Sequence, residues 1–191
     1  MIEKIIKGIN YRLNEETLTA EVIKQENGYE GDIIIPETVE LKVAYRVTSI
    51  GERAFCQCEY LTSIAIPDSV TNIGQEAFED CFSLEAIVIP NSVTSIGDRA
   101  FKGCIPLTSV VIPDSVTSIG EEVFCCTDLE SIVIPESVTS IGECAFRDCS
   151  FLTSIRFNGT KAQWKGIKLG AGWNESLPTT VVHCTDGKVK M

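Results

Sequence analysis

The sequence has little positive charge, a single histidine and no long apolar segment. Its 191 residues include 16 Lys or Arg and 27 Asp or Glu, which gives a net charge of −11. Because nucleic-acid phosphates are bound by Lys and Arg, this acidity argues against a nucleic-acid partner. No uncharged apolar run approaches the roughly 20 residues that a transmembrane helix needs, so we expect no membrane insertion. The segment Met1–Lys7 lacks the apolar core of a signal peptide, and the composition leaves the location unknown.

Motifs of catalysis and metal binding are also missing. The chain has no Gly-rich phosphate loop, no His-Glu-x-x-His and no Gly-x-Ser-x-Gly. The one histidine, His183, precedes Cys184 in a predicted strand, where neighbours point to opposite faces, which argues against a Cys–His catalytic pair. The pairs Cys56-x-Cys58 and Cys125-Cys126 differ from the Cys-x₂-Cys spacing of zinc sites. We therefore expect a non-catalytic protein without cofactor or metal.

A repeat of 23 residues occupies the middle of the chain. Val-Thr-Ser-Ile-Gly, once with Asn for Ser, ends at five glycines spaced by 23, 23, 23 and 22 residues. These repeat glycines are Gly51, Gly74, Gly97, Gly120 and Gly142. Each precedes x-x-Ala-Phe (once Val-Phe), a cysteine and a Leu-x-x-Ile-x-Ile-Pro-like segment; one unit has lost a residue between Phe124 and Leu129. Such a period is typical of solenoids, whose units bury their apolar faces by stacking.

Each unit predicts two short strands joined by turns. In one unit, residues 61–66 form a first strand that Pro67 ends, because proline removes a ladder donor. Residues 70–73 form a second extended segment, and Gly74 is expected to adopt a positive φ. Glu76–Cys81 is expected to form one helical turn. Its inward side chains would be Ala77, Phe78 and Cys81.

The unit Ile-Pro-x-Ser-Val-Thr-Ser-Ile-Gly-x-x-Ala-Phe-x-x-Cys-x-x-Leu-Thr-Ser-Ile resembles the BspA-like leucine-rich repeat, a bacterial class. The likeness covers residues 32–157 as about five coils, one coil being one repeat unit. Gly8–Ile23 resembles the hairpin that often precedes such arrays, and Asn158–Trp164 resembles their common C-terminal cap. The resemblance implies a right-handed solenoid, a surface-exposed or secreted binding role and no catalysis.

We therefore predict a β-rich α/β fold in three segments: an N-terminal β cap at 1–31, the repeat array at 32–157 and a C-terminal cap at 158–191. The N-terminal cap would be a hairpin turning at Asn14–Glu16, with Tyr11 and Leu13 on one arm and Leu18, Ala20 and Val22 on the other. Eight extra residues around Glu40–Arg46 would form a protruding hairpin that joins it. The C-terminal cap would contain a helix at Thr160–Ile167, a strand at Thr180–Cys184 and a turn at Asp186–Gly187. Trp164 and Trp173 would close the core.

The outward positions of the first strands form the candidate partner-binding face, called here the first-strand face. Its residues are small, with an aliphatic row closed by an arginine. The candidate binding residues are Ala65, Glu85, Val88, Thr108, Val111, Glu130, Val133 and Arg156. The alternative is that Thr, Ser and Val are present because they suit strand backbones.

Two other sets of columns are exposed in this arrangement. The second strands present a Thr-Ser ladder, which predicts a solvated strand surface; binding of a repetitive glycan or an ice-like lattice is the alternative. Acidic residues follow each proline (Asp68, Asn91, Asp114, Glu136) and each repeat glycine (Glu52, Gln75, Asp98, Glu121, Glu143). Calcium is a possible partner, but the site needs six to eight oxygens and each coil offers about one carboxylate per column.

The nine cysteines divide by repeat register. Cys58, Cys81, Cys104, Cys126 and Cys149 are expected in one inward column as reduced core residues. Cys56, Cys125 and Cys144 fall in columns otherwise held by Glu, Lys or Arg and are expected to be exposed, with Cys125 and Cys144 near each other. The redox state of these three and of Cys184 stays open.

Two functions fit these patterns. The first is a binding module that presents the first-strand face to an unidentified protein or matrix partner. The second is a structural spacer or scaffold without a specific small ligand, which the near-identical coils favour.

Overall fold

Two short strands per coil form the framework of the protein, which is seen in a computed structural model that describes residues 1–191. In chain order the strands are β1 (Ile2–Ile6), β2 (Ile9–Asn14), β3 (Thr19–Val22), β4 (Gly31–Ile34), β5 (Thr38–Glu40), β6 (Ala44–Ile50), β7 (Leu61–Ala65), β8 (Asn72–Ile73), β9 (Ala86–Val88), β10 (Ser95–Ile96), β11 (Ser109–Val111), β12 (Ser118–Ile119), β13 (Ser131–Ile134), β14 (Ser140–Ile141), β15 (Ser154–Phe157), β16 (Lys168–Leu169), β17 (Val181–Cys184) and β18 (Gly187–Lys190). The one α-helix, α1 (Lys161–Lys165), precedes β16. No helix is long and apolar enough to cross a membrane.

The first strands of successive coils lie side by side in parallel. One sheet has the order β18-β17-β15-β13-β11-β9, and β4 pairs with β7 in a separate two-stranded sheet. The pairing of first strands is therefore interrupted between β7 and β9, a break that the repeat does not predict. The second strands lie in two further sheets. One has the order β1-β2-β3-β6-β8-β10, in which β1 to β3 come from the N-terminal segment and β5 pairs with β6, and the other has the order β12-β14-β16. The structure is thus a β-rich repeat solenoid, as expected from the period.

The residues after each repeat glycine form an irregular turn, so the predicted helical turn is wrong. Glu76 and Asp80 have φ values of 53° and 58°, and the equivalent positions of the other coils are also positive. Left-handed residues at these two positions interrupt a helical backbone. Alternate N–H groups instead donate to the next coil, as from Phe78 to the Ala100 carbonyl at 2.8 Å. The inward direction of Ala77, Phe78 and Cys81 is confirmed, since all three are fully buried.

The repeat glycines serve close packing rather than a turn. Gly74 is not among the residues with positive φ, so that prediction is wrong. A Cβ atom on Gly74 would lie 2.6 Å from the Glu52 nitrogen and 2.7 Å from the Gly51 carbonyl carbon. A Cβ atom on Gly97 would lie 2.5 Å from the Gln75 nitrogen. Glycine is needed here because the backbones of adjacent coils approach too closely for any side chain.

The core is one cluster of 51 buried residues that runs through all coils. Its central feature is a column of stacked rings, in which Phe101 lies 5.3 Å from Phe78 and 5.7 Å from Phe124, centroid to centroid. Tyr29 covers one end of this column at 4.7 Å from Phe55. Trp173 covers the other end, edge-on to Phe146 at 6.2 Å. Aromatic residues from the flanking segments therefore close both ends of the apolar interior.

The N-terminal segment is a three-stranded antiparallel sheet, one strand more than the predicted hairpin. Tyr11, Leu13, Ala20 and Val22 are buried as expected, whereas Leu18 is 44% exposed in the turn with a φ of 53°. The extra residues before Gly51 do form a hairpin, because β5 and β6 pair antiparallel. This hairpin joins the N-terminal sheet through the parallel pairing of β3 with β6.

The C-terminal segment begins with the predicted helix and then repeats the coil geometry. Thr160 caps α1, and its capping box with Gln163 is complete. The strand β16 then pairs in parallel with β14, and Gly170 takes the place of a repeat glycine, with its Cβ position 2.3 Å from the Glu143 nitrogen. Gly172 and Ser176 have the positive φ values of the coil turn. The coil pattern therefore continues beyond residue 157, although the sequence motif does not.

Candidate binding face

The first-strand face is exposed at every position that the repeat predicts. The aliphatic row is aligned by strand pairing, because Val88 lies opposite Val111, Val111 opposite Val133, and Val133 opposite Arg156. Val88 and Val111 are 77% and 70% exposed, and Val133 is 39% exposed. Ala65, Glu85, Thr108, Glu130 and Arg156 are exposed as well. All eight candidate residues therefore lie on one solvent-facing surface.

The aliphatic row is longer than the sequence predicts. Ile34 lies opposite Ala65 in the pairing of β4 with β7 and is 75% exposed. The signal for it was present, because Ile33-Ile-Ile-Pro36 aligns with Ile64-Ala-Ile-Pro67. At the other end, Arg156 lies opposite His183, which lies opposite Lys188. The row thus runs from an aliphatic end to a basic end.

Polar side chains flank the aliphatic row. Thr62 and Ser63 donate hydrogen bonds to Oδ1 of Asp32 at 2.9 and 2.6 Å. These hydroxyls, Ser63 first, hold the pKa of Asp32 below its usual value. Asp32 therefore stays ionised at neutral pH, beside the exposed end of the row near Ile34.

A second set of exposed apolar side chains lies just before the first strands and was not predicted from the sequence. It consists of Tyr60, Phe82, Ile105 and Phe151, which are 70%, 45%, 50% and 57% exposed. Each precedes the buried leucine that opens a first strand by one or two residues. These side chains differ in type and stand either one or two residues before the leucine, so no fixed position of the repeat motif is apolar here. Together with the valine row they add to the exposed apolar area of the first strands and of the residues just before them.

The repeat sequence matches a known family. A model of the BspA type leucine-rich repeat region matches residues 37–165 in six copies. The chain belongs to the BspA-type leucine-rich repeat family. This confirms the resemblance drawn from the motif.

Solved structures of bacterial leucine-rich repeat proteins are similar to this BspA-type chain. A T. pallidum leucine-rich repeat protein, TpLRR, is 28% identical with a TM-score of 0.73, over 90% of this chain and 82% of that chain. A leucine-rich repeat protein from Bacteroides ovatus is 25% identical with a TM-score of 0.50, over 93% and 57%. A leucine-rich cell surface protein from Faecalibacterium prausnitzii is 31% identical with a TM-score of 0.47, over 82% and 55%. The chain thus spans little more than half of the latter two. No curated protein matches.

The turn side of the BspA-type array carries a ladder of ion pairs that the sequence interpretation also missed. The second residues after the repeat glycines alternate in charge as Arg53, Glu76, Arg99 and Glu122. Arg53 pairs with Glu76, and Arg99 Nε lies 2.9 Å from Glu122 Oε2. Burial raises the pKa of Glu76, but hydrogen bonds from Arg53 and Gln75 outweigh it, so its net pKa is lowered. This ladder neutralises carboxylates beside the core and thus stabilises the turns.

The acidic columns of the array do not converge. Asp68, Asp114 and Glu136 are exposed, and no group of three or more His, Cys, Asp or Glu side chains has metal-binding geometry. In the column after the repeat glycines, Asp98 Oδ1 accepts the Glu121 backbone N–H at 2.8 Å, and Glu121 pairs with Arg99 at 2.6 Å. Asp98 and Glu121 therefore bind groups of the protein itself, and the other carboxylates face solvent.

The cysteine column differs from the prediction at one coil. Thr127, not Cys126, is the seventh residue after its repeat glycine and is 1% exposed, whereas Cys126 is exposed. The Thr127 hydroxyl contacts the Phe124 carbonyl at 2.9 Å and Cys149 Sγ at 3.3 Å, so it replaces a thiol in the column. The lost residue of this coil therefore lies between Thr127 and Leu129.

Three cysteines expected at the surface are buried instead. Cys56, Cys125 and Cys144 are 7%, 0% and 8% exposed. Their columns otherwise hold long charged side chains, whose stems cover the core while their heads reach solvent. A cysteine is too short to reach out and remains beneath its neighbours. Cys125 contacts Cys126 rather than Cys144, with the two sulfurs 3.5 Å apart, and all nine cysteines are free.

Proposed function

We propose that the chain is a non-catalytic binding module that engages a protein or matrix partner through the first-strand face. The observation that carries this proposal is a row of exposed aliphatic side chains on parallel first strands, in which Ile34 lies opposite Ala65, and Val88, Val111 and Val133 lie opposite one another in the neighbouring sheet. Exposed apolar rows rimmed by polar residues are typical of interaction surfaces.

Covering this row supports useful affinity. A fully buried valine contributes about 1.5–3 kcal/mol, so a partner that covers Val88 and Val111 gains about 3 kcal/mol or more. The second set, with Tyr60, Phe82 and Phe151, offers the aromatic contacts that dominate many protein interfaces. Both sets recur in several coils, on the first strands and just before them, which favours a partner that spans several coils.

The shape and charge of the face favour a macromolecule. Its outward residues are exposed to solvent on short parallel strands, whereas small-molecule sites bury most of the surface of their ligand. Glu85 and Glu130 add negative charge beside the valines, and the chain carries −11 overall. We therefore expect a partner surface that is apolar with flanking positive charges, and not a nucleic acid.

The architecture that we propose for this module keeps the predicted division. It is a right-handed array of about five coils at 32–157, with an N-terminal cap at 1–31 and a C-terminal cap at 158–191 that begins with a helix and contains the further coil-like turn after Gly170. The aromatic closures at Tyr29 and Trp173 support the two caps. A cell-surface or secreted location is part of the proposal and follows from the family.

A spacer or scaffold is the second candidate function. It is favoured by the near-identity of the coils, since Val-Thr-Ser-Ile-Gly stands unchanged in four of the five units. In such a role the valine row would be only a good strand surface.

A charge placed on the face separates the two candidates. The full chain and its Val111→Arg and Val133→Arg variants are used to capture partners from surface and matrix extracts, and the purified partner is then titrated. We expect both variants to lose about tenfold or more in affinity. Thr94→Arg and Thr117→Arg, which are exposed directly before the second strands β10 and β12, are the matched controls and should bind normally. Equal loss in the controls, or unchanged binding by the valine variants, would exclude this face and leave the spacer.

A further inference from the structure

We propose that Cys125 and Cys126 form a chelating dithiol site for one trivalent metalloid centre, the class of thiophilic ligand represented by arsenic(III). The two sulfurs lie 3.5 Å apart on adjacent residues. Two sulfur bonds of about 2.3 Å, the length of a zinc–thiolate bond, span about 3.8 Å at a near-tetrahedral angle, and a pyramidal trivalent centre with its smaller angle spans less. The pair therefore needs to open by no more than about 0.3 Å to hold such a centre.

The pair arises because two successive turn positions of this coil both hold cysteine. The sixth residue after a repeat glycine has a left-handed backbone and is Gln57, Asp80, Gly103 or Asp148 in the other coils, but here it is Cys126, with a φ of 60°. In this conformation the Cys126 side chain lies at the surface beside that of Cys125. No other coil places two cysteines in succession.

The backbone on both sides of the pair is fixed by neighbouring coils. The Cys126 N–H donates to the Arg147 carbonyl at 2.9 Å, and the Cys125 carbonyl accepts from the Gly103 N–H at 2.9 Å. The two thiols are therefore held together before any ligand arrives, which lowers the entropy cost of chelation. Cys126 is exposed and provides the first bond, and Cys125 beneath it provides the second.

The surroundings favour a metalloid over a divalent metal ion. Zinc in proteins takes four ligands, and no third His, Cys, Asp or Glu completes a metal group here. Arg147 lies beside the site, its Nη1 3.7 Å from Cys144 Sγ and its charge close enough to interact with Cys125. This positive charge opposes a second cation but not a neutral adduct.

Burial and the hydrogen bond with Cys126 raise the pKa of Cys125 to about 12, so the thiol is neutral at physiological pH. An arsenical reacts with two neutral thiols by condensation: C₆H₅AsO + 2 RSH gives C₆H₅As(SR)₂ + H₂O. Two As–S bonds form, the As=O bond is replaced, both thiol protons leave in water, and no oxidation occurs. A high thiol pKa therefore does not prevent loading.

The reduced full chain treated with one equivalent of phenylarsine oxide tests this site. Intact mass should show one phenylarsenic adduct that survives excess 2-mercaptoethanol and is removed by 2,3-dimercaptopropanol. Thiol titration in denaturant should find two fewer thiols than the nine of the free chain. Loss of either sulfur removes the chelate, so Cys126→Ala and Cys125→Ala should bind about 10²–10⁴-fold more weakly.

Cys184→Ala is the matched control, because it removes a partly exposed cysteine outside the pair and should bind as the parent does. Cys126 is exposed, so its alanine variant should fold normally even if the buried Cys125 variant does not. The proposal is overturned if the parent adduct does not survive the monothiol, if Cys126→Ala retains it, or if Cys184→Ala loses it.

Discussion

Replacing Phe101 with alanine tests whether the aromatic column carries the stability of the array. Phe101 is fully buried, with rings stacked on both sides at 5.3 and 5.7 Å and tilts of 4°. Truncation of a buried phenylalanine costs about 3–5 kcal/mol because a cavity remains. Each of the two lost ring contacts adds about 0.5–1.5 kcal/mol, which places the expected loss of unfolding free energy at about 4–8 kcal/mol.

The measurement is urea unfolding followed by far-ultraviolet circular dichroism and by tryptophan fluorescence. Both tryptophans, Trp164 and Trp173, lie at the C-terminal end. Because each coil contacts only its neighbours, a cavity in the middle can uncouple the two ends, and the two signals should then report separate transitions. Phe82→Ala is the matched control, since Phe82 is 45% exposed and its truncation should cost under about 1 kcal/mol. A Phe101→Ala loss under about 2 kcal/mol, or one equal to the control, would refute the reasoning.

Three further predictions concern stability and solvation. In urea unfolding, Gly97→Ala should lower the unfolding free energy by about 2 kcal/mol or more, because its Cβ atom would lie 2.5 Å from a backbone nitrogen. Gly8→Ala is its control: no atom lies within 4 Å of that Cβ position, so only the backbone strain of about 1 kcal/mol is expected. Hydrogen bonds from Lys102 and Arg99 lower the pKa of Glu122, so the ionised carboxylate stabilises the fold above its ordinary pKa of 4.5, and this stabilisation is lost as the pH falls through the lowered folded pKa. The Glu122→Gln variant should therefore show a flatter fall in unfolding free energy between about pH 5 and 2. An unchanged slope would contradict the ion-pair ladder. Asp114→Asn should change stability by under about 0.5 kcal/mol, and a calcium-dependent melting temperature that this variant abolishes would contradict a solvated column.

The buried columns could be predicted from the sequence because burial is the property that the repeat preserves. Each position of a coil lies above the same position of the coil before it, so an apolar residue repeated at Phe78, Phe101 and Phe124 must face the shared interior. The same reasoning correctly placed the exposed valines of the first-strand face. It found the exposed candidate residues but not Ile34, which belongs to a coil lengthened by an insertion.

Backbone conformation was not predictable in the same way. The sequence pattern around Glu76–Cys81 has helical spacing, but the chain gains more hydrogen bonds by pairing alternate residues with the next coil. Glycine at position 74 fits both a positive φ and a close approach, and only the distance to Gly51 distinguishes them. The prediction that Cys126 faces inward was wrong for a related reason. Five positions replace six between Phe124 and Leu129, and only packing decides that Thr127 and not Cys126 takes the inward position.

The regularity of the array raises the question of how a partner could bind in one register. Backbone hydrogen bonds link every pair of adjacent coils through the turns, and most pairs through their strands as well, with breaks between β7 and β9 and between β10 and β12. The face is therefore preorganised, and little ordering is needed on binding. A row of like valines alone would allow a partner to shift by one coil, about 4.8 Å. The neighbouring column removes that freedom, since it alternates in charge: Thr62, Glu85, Thr108, Glu130, Thr153. A shift of one coil would place a partner's cations opposite threonines, and a shift of two coils, about 9.6 Å, would bring them towards Arg156 and His183 at the basic end. The departures from the repeat, rather than the repeat itself, therefore give the proposed face its specificity.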